Sequence, residues 1–199
     1  EIIYISNVSE LSKISETDDY LELGAAITYT QALPYIERLY PSLASLITRI
    51  GSRQIRNVGT IGGNIGTASP IGDMPPCLIA LDATILLVSE NGERTLPIEE
   101  FFLDYRETDL KPGECIKAIR IPKLSGGQEF RAYKISKRYD QDISSVIGAY
   151  RIQVLDGKIN DIRVAFGGMA ATPKRSPVSE ATLFGKNWTE ESARIAASK

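Results

Sequence analysis

Histidine is absent from the 199-residue chain. That excludes Ser-His-Asp and Cys-His nucleophile systems, imidazole general bases and histidine-ligated zinc. Redox or transfer chemistry would therefore need a borrowed reactive group, which a cofactor supplies most economically. Cysteine is nearly as scarce. Cys77 and Cys115 lie far apart with no CxxC spacing, which argues against a disulfide scaffold and against a metal or iron–sulfur site built from this chain alone. Such cysteine usage suits a reducing cytoplasm. A basic excess is lacking as well: the formal charge is -2, so nucleic acid is a poor partner. No apolar run approaches the roughly 20 residues of a membrane span.

What is present is ordinary for a folded protein. A hydrophobic fraction of 43% with 24% charged residues supports a real core in one large domain or two small ones. Short elements alternate along the chain. EIIYIS and YLELGAAIT have strand character, and Thr28 or Thr30 can cap a helical stretch that Pro34 and Pro41 divide and Gly51 stops. PPCLIALDATILLVS reads as a short helix and then a buried strand. SENGERTLPI reads as a hairpin turning at Asn91-Gly92, and CIKAIRIP as a strand closed by Pro122. KLSGGQ, at 123–128, has linker composition. Beyond it EFRAYKIS, SSVIGAYRIQVL and DIRVAFGGMA alternate apolar and polar residues, with Asp156-Gly157 as a second hairpin turn, so three antiparallel strands are expected. Two helical pieces follow, the second capped by Thr189 with Glu190 and Glu191 in its first turn.

The run RNVGTIGGNIGTASPIGD, residues 56–73, holds Gly59, Gly62, Gly63 and Gly66. It is not a P-loop, since no GK[ST] follows, and its spacing is not GxGxxG. Two readings stay open. The glycines form a tight loop, or they let an anion or a ring approach the backbone. For the second, Thr60, Asn64, Thr67, Ser69 and Asp73 offer polar groups suited to pyrophosphate and ribityl oxygens. Asp73, just before Met74-Pro75-Pro76, can equally be a turn or cap residue. Phe130, Tyr133 and Tyr139 are expected in the core, while Lys134 is open between a solvated strand-face lysine and a ligand-facing one.

The same run carries a resemblance. GTIGGNIGTASPIGDMPP, preceded by RQIRNV, resembles the second flavin-binding segment of the molybdenum hydroxylase flavoproteins. FFLDYRETDLKPGECIKAIRIP is similar to a strand region of that family, and YKISKRYDQDISSV to the stretch that opens its small C-terminal domain. Together they cover most of the chain. Within the family the last stretch resembles the small, FAD-binding subunit of two-subunit bacterial xanthine dehydrogenases rather than carbon monoxide dehydrogenase. The family's N-terminal 2Fe-2S domain and first flavin loop have no counterpart here, so the resemblance implies a fragment.

The implied fold is α+β. Residues 1–123 would be the latter part of a flavin-binding domain with a mainly antiparallel sheet, and residues 128–199 a truncated C-terminal domain with a three-stranded antiparallel sheet and helices. The implied cofactor is FAD, relaying electrons from iron–sulfur clusters to NAD while a purine is hydroxylated at a molybdenum site. The 2Fe-2S and molybdopterin groups would sit in missing domains or a partner subunit, giving a cytoplasmic hetero-oligomer. By the resemblance Thr60, Ile61, Gly62, Gly63 and Asn64 would hold the pyrophosphate, and Asp73 would take ribose or ribityl hydroxyls. Ile50 would pack against the cofactor, Ile116 would touch it mainly through the strand backbone, and Lys134 would lie near it and stabilise charge on the reduced flavin. No side chain is assigned as acid, base, nucleophile or metal ligand. The alternatives are a flavin relay for carbon monoxide, nicotinate or aldehyde oxidation, and a cofactor-free docking module.

Overall fold

The computed structural model describes Ile5 and residues 7–199, so the strand expected for EIIYIS lies largely outside the described residues. Strands β1 (Ile14–Glu16) and β2 (Tyr20–Gly24) open the first sheet. Helices α1 (Tyr29–Leu39), α2 (Pro41–Ile47), α3 (Arg53–Val58), α4 (Ile61–Gly66) and α5 (Met74–Ala80) run before β3 (Thr84–Ser89) and β4 (Gly92–Pro97). A short α6 (Ile98–Phe101) and a small hairpin, β5 (Phe102–Asp104) and β6 (Glu107–Thr108), lead into β7 (Cys115–Pro122). β7 inserts between β2 and β3, giving the antiparallel order β1-β2-β7-β3-β4.

A capping box starts α1: the Gln31 N–H donates to Thr28 Oγ1 while Gln31 Oε1 accepts the Thr28 N–H. Pro41 divides the helical stretch as expected, by opening α2. Pro34 does not. It sits inside α1 on the exposed face, where its missing N–H leaves only the carbonyl of the exposed Thr30 for water to satisfy. The β3–β4 hairpin turns at Glu90 and Asn91, because Gly92, at φ +121, already pairs with Ser89. This places the turn one residue earlier than the Asn-Gly signal suggested.

The second sheet has the order β11-β10-β9-β8, from β8 (Gln128–Ile135), β9 (Val146–Leu155), β10 (Lys158–Gly167) and β11 (Lys174–Arg175). The three expected strands are joined by a fourth, whose two residues are too few to show alternation. Asp156 and Gly157, at φ 50 and 76, make the tight turn between β9 and β10. Helices α7 (Pro177–Leu183) and α8 (Glu190–Ala197) follow, with Thr189 capping the second.

Every residue of α5 is buried. A helix apolar on all sides needs neighbours on all sides, and α5 packs against α4 and α6 on one flank and β9, β10 and β11 on the other. One continuous core therefore runs from Leu21 and Ile119 of the first sheet through Cys77 and Leu78 to Ile147 and Ala165 of the second.

Candidate functional site

The middle of the glycine run, Ile61–Gly66, is helix rather than loop. Thr60 caps a six-residue helix, α4, by accepting the Gly63 N–H on its hydroxyl at 3.0 Å. None of Gly59, Gly62, Gly63 and Gly66 has positive φ. Gly62 is required by close approach instead, since a Cβ there would stand 2.6 Å from Ala25 Cβ and 2.8 Å from Ala25 Cα. Of the N–H groups expected to cradle a pyrophosphate, those of Ile61, Gly62, Gly63 and Asn64 are engaged within the protein. Ile61 donates to Ile27 O, Gly62 to Ala25 O and Asn64 to Thr60 O, at 3.0, 3.0 and 3.1 Å.

Past α4 the chain reaches Asp73, the N-cap residue of α5, whose side chain does not cap it. The donors a capping carboxylate uses are the N–H groups two and three residues on. Here those residues are Pro75 and Pro76, which have none. The freed carboxylate turns to the second sheet. Its Oδ2 accepts from Lys134 Nζ at 2.8 Å, and its Oδ1 accepts from the Ser144 hydroxyl. The Lys134 and Asp73 side chains are only 2% and 9% exposed, so Lys134 is not a solvated strand-face lysine.

The β8–β9 hairpin brings these donors together. Along β8, Phe130 and Lys134 are buried while Glu129, Arg131, Tyr133 and Ile135 are exposed. The Ser145 N–H donates to Ile135 O at 2.8 Å and closes the base of the connecting loop, so Lys134 and Ser144 lie at its two ends. Arg49, beyond α2, grips the loop by donating to Lys134 O, Tyr139 O and Ser136 Oγ at 3.0, 3.1 and 3.2 Å. Tyr133 and Tyr139 are not core residues, being 59% and 74% exposed. Tyr133 points to the outer sheet face, and the Arg49 guanidinium lies 4.4 Å from the Tyr139 ring centroid.

A cavity of about 350 Å³ lies between the two sheets' elements and brings together Ile50, Asn64, Asp73 and Lys134. Thr60, Ile61, Gly62, Gly63 and Ile116 do not line it. Ile61 and Ile116 are buried in the core, and Ile116 packs beneath α4 beside Gly66. Ser144, Ser69, Gln141 and Asp142 complete the polar wall. Of these, Ser69 was visible as polar company to the glycines, whereas Gln141 and Ser144 depend on how the loop folds back.

Two buried polar atoms find no partner among the described residues, Asn64 Oδ1 and the Tyr29 hydroxyl. Burial, with the Asp73 carboxylate nearby, pushes the Tyr29 phenol above its ordinary pKa. An unpartnered buried acceptor is costly unless a ligand supplies the donor. Asn64 Oδ1 is itself closed to solvent, and it is the polar wall as a whole, with Ser69, Asp73 and Gln141 beside Asn64, that suits a hydroxyl- or N–H-bearing group such as a ribityl chain or flavin ring. The charged groups of the wall are two carboxylates, Asp73 and Asp142, against one ammonium, Lys134. That balance suits an uncharged polyol or ring better than a diphosphate.

Comparison with known proteins agrees with a flavin-associated fold. Residues 1–124 match the family described as the FAD binding domain in molybdopterin dehydrogenase, and residues 131–199 the CO dehydrogenase flavoprotein C-terminal domain. The chain belongs to this family of molybdenum hydroxylase flavoproteins. It is 35% identical to xanthine dehydrogenase of Emericella nidulans over 94% of its own length and 15% of that protein. It is 32% identical to the glyceraldehyde dehydrogenase medium chain of Sulfolobus acidocaldarius, over all of this chain and 70% of the relative. Among solved structures, the carbon monoxide dehydrogenase from Hydrogenophaga pseudoflava superposes with a TM-score of 0.91 at 32% identity, covering 96% of this chain and 67% of that one. The chain thus spans about 15% of the xanthine dehydrogenase and about two thirds of the glyceraldehyde dehydrogenase medium chain and of the matched carbon monoxide dehydrogenase chain.

Proposed function

We propose that the cavity between Asn64, Asp73 and Lys134 holds the ribityl and ring portion of FAD, and that the chain is the electron-relay part of a molybdenum hydroxylase. The observation that carries the reading is the convergence of Asn64, Asp73 and Lys134, with Ile50, on one cavity. Bound FAD would supply the redox chemistry, accepting and releasing electrons. The protein's part is binding and field. Asn64 would line the polar side, and Asp73, held by Lys134 and Ser144, would offer its remaining lone pairs to hydroxyls. Ile50 would close the apolar side. Thr60 to Gly63 would set the position of α4 rather than contact the ring, with Ile116 supporting it from below.

In the finer reading the parent is a xanthine dehydrogenase of 2Fe-2S, FAD and molybdopterin parts, cytoplasmic and hetero-oligomeric, passing electrons to NAD. Residues 1–123 and 128–199 would be its two flavoprotein domains. The 35% identity to xanthine dehydrogenase supports it. A relay serving an aldehyde or carbon monoxide hydroxylase is the second reading, favoured by likeness to separate medium chains along the whole sequence. Visible absorption of the full-length protein purified with its partners tests the cofactor: a flavin band is expected, and its absence would leave a docking module. Anaerobic bleaching of that band by NADH would support the xanthine dehydrogenase reading. Bleaching only through the partner's own substrate would favour the relay.

A further inference from the structure

The contact between Ser144 and Asp73 joins two parts of the chain 71 positions apart, and both groups sit on the cavity wall. Asp73 cannot be fixed by its own helix, because Pro75 and Pro76 leave it no capping donor. Lys134 fixes one oxygen at 2.8 Å. A carboxylate held at one oxygen by a rotatable ammonium can still swivel about its own χ2, which is a broad torsion. The Ser144 hydroxyl removes that freedom by donating to the other oxygen. Ser144 itself is only 5% exposed. Its place is set by the Ser145 N–H on Ile135 O and by Gly168, whose φ of +83 lets the backbone pass where a Cβ would stand 2.2 Å from Ser145 O.

We infer that Ser144 is a positioning residue for the flavin site, orienting the Asp73 carboxylate toward the bound polyol without touching the ligand itself. The inference rests on the FAD reading above. It predicts a dependence that a simple packing role does not produce, namely that the effect of Ser144 on flavin passes through Asp73.

The test is a double-mutant cycle in the full-length protein. Apo-protein is titrated with FAD by fluorescence quenching at a temperature where every variant is fully folded by circular dichroism. Ser144→Ala should weaken FAD binding about tenfold, the scale of one lost hydrogen bond to a charged group, and Ser144→Thr, which keeps the hydroxyl, should restore most of it. In an Asp73→Ala background, which leaves the hydroxyl no partner at position 73, Ser144→Ala should cost nothing further. Unchanged affinity in Ser144→Ala overturns the inference. So does an equal loss with and without Asp73, which would mean direct contact with the ligand. Should Asp73→Ala fail to fold, the Ser144→Ala and Ser144→Thr variants decide alone, and a loss that Ser144→Thr does not reverse overturns the role. A parent protein that takes up no FAD under any condition would sink the cofactor reading itself.

Discussion

Asp73 and Lys134 form a pair buried at 2% and 9% side-chain exposure, and removing one partner of such a pair leaves a lone charge where solvation is poor. Lys134→Met is therefore expected to cost about 3–5 kcal/mol of folding stability, measured by urea denaturation. Asp73→Asn combined with Lys134→Met should cost clearly less than Lys134→Met alone, because no unmatched charge remains. Equal losses in the single and double variants would show that packing, not charge, governs the site. The sequence resemblance placed Lys134 beside the cofactor as a free positive charge. The structure gives that charge to Asp73, so its field at the cavity is largely that of a neutral pair. Part of this was legible beforehand. In EFRAYKIS the lysine falls on the same face as Phe130 and Ala132, and a lysine in register with core residues needs a buried partner. The partner could not be read, because Asp73 lies 61 positions away, but the two prolines after it already denied it a capping role.

At the scale of elements, α4 shows that a glycine cluster can serve helix packing instead of loop geometry. Two effects of opposite sign meet at Gly62. Alanine in a helix gains roughly 0.5–1 kcal/mol over glycine in propensity, whereas a Cβ at 2.6–2.8 Å from Ala25 Cβ, O and Cα meets mainly backbone that cannot rotate away. The clash wins, and Gly62→Ala is expected to destabilise by about 1–3 kcal/mol. Gly63→Ala meets only Thr60 Oγ1, at 2.9 Å, the end of a rotatable side chain, so it should stay within about 1 kcal/mol of the parent. Urea midpoints of the two variants check the ordering, and a more damaging substitution at Gly63 would refute the packing account. The identity of α4 as a helix was hidden because three of its six residues are glycine, a composition that speaks against helix. Its strands and caps elsewhere were legible wherever alternation or a capping residue carried the signal, as in β8, β9 and β10 or at Thr28 and Thr189. Pro34 misled because one exposed lost hydrogen bond is outweighed by the capping box and the buried Ala32 and Ile36.

The two sheets share one core through α5, beside a small separate cluster of Ile159, Leu183 and Ala196 under α7 and α8, while the first sheet is held together at its margins by paired carboxylates. Glu16 of β1 joins Arg38 of α1 and Lys123 just beyond β7. Glu114, before β7, takes two bonds from Arg94 of β4 at 2.6 and 2.7 Å and the Lys111 N–H at 2.7 Å. Arg38 and then Lys123 lower the Glu16 pKa from 4.5 to about 2. Arg94 and then the Lys111 N–H lower that of Glu114 from 4.5 to about 2. A carboxylate whose folded pKa is depressed binds fewer protons folded than unfolded in that interval, so its contribution is complete above pH 4.5 and is lost as pH falls toward 2. Stability should therefore change little between neutrality and pH 5 on account of these groups, then fall as pH drops below 4.5. The Arg38 and Arg94 side chains are 55% and 34% exposed, so added salt should flatten the drop. Because α5 welds the two sheets, loosening the first should carry the second with it. The single tryptophan, Trp188, reports on the second, and its fluorescence should lose its native signal at the same urea midpoint as far-ultraviolet circular dichroism at every pH. Glu114→Gln should lower the midpoint at pH 7 and leave a shallower acid slope. A Trp188 transition that separates from the dichroism on acidification would mean that the sheets unfold independently, and an acid slope unaltered by Glu114→Gln would remove that carboxylate from the account.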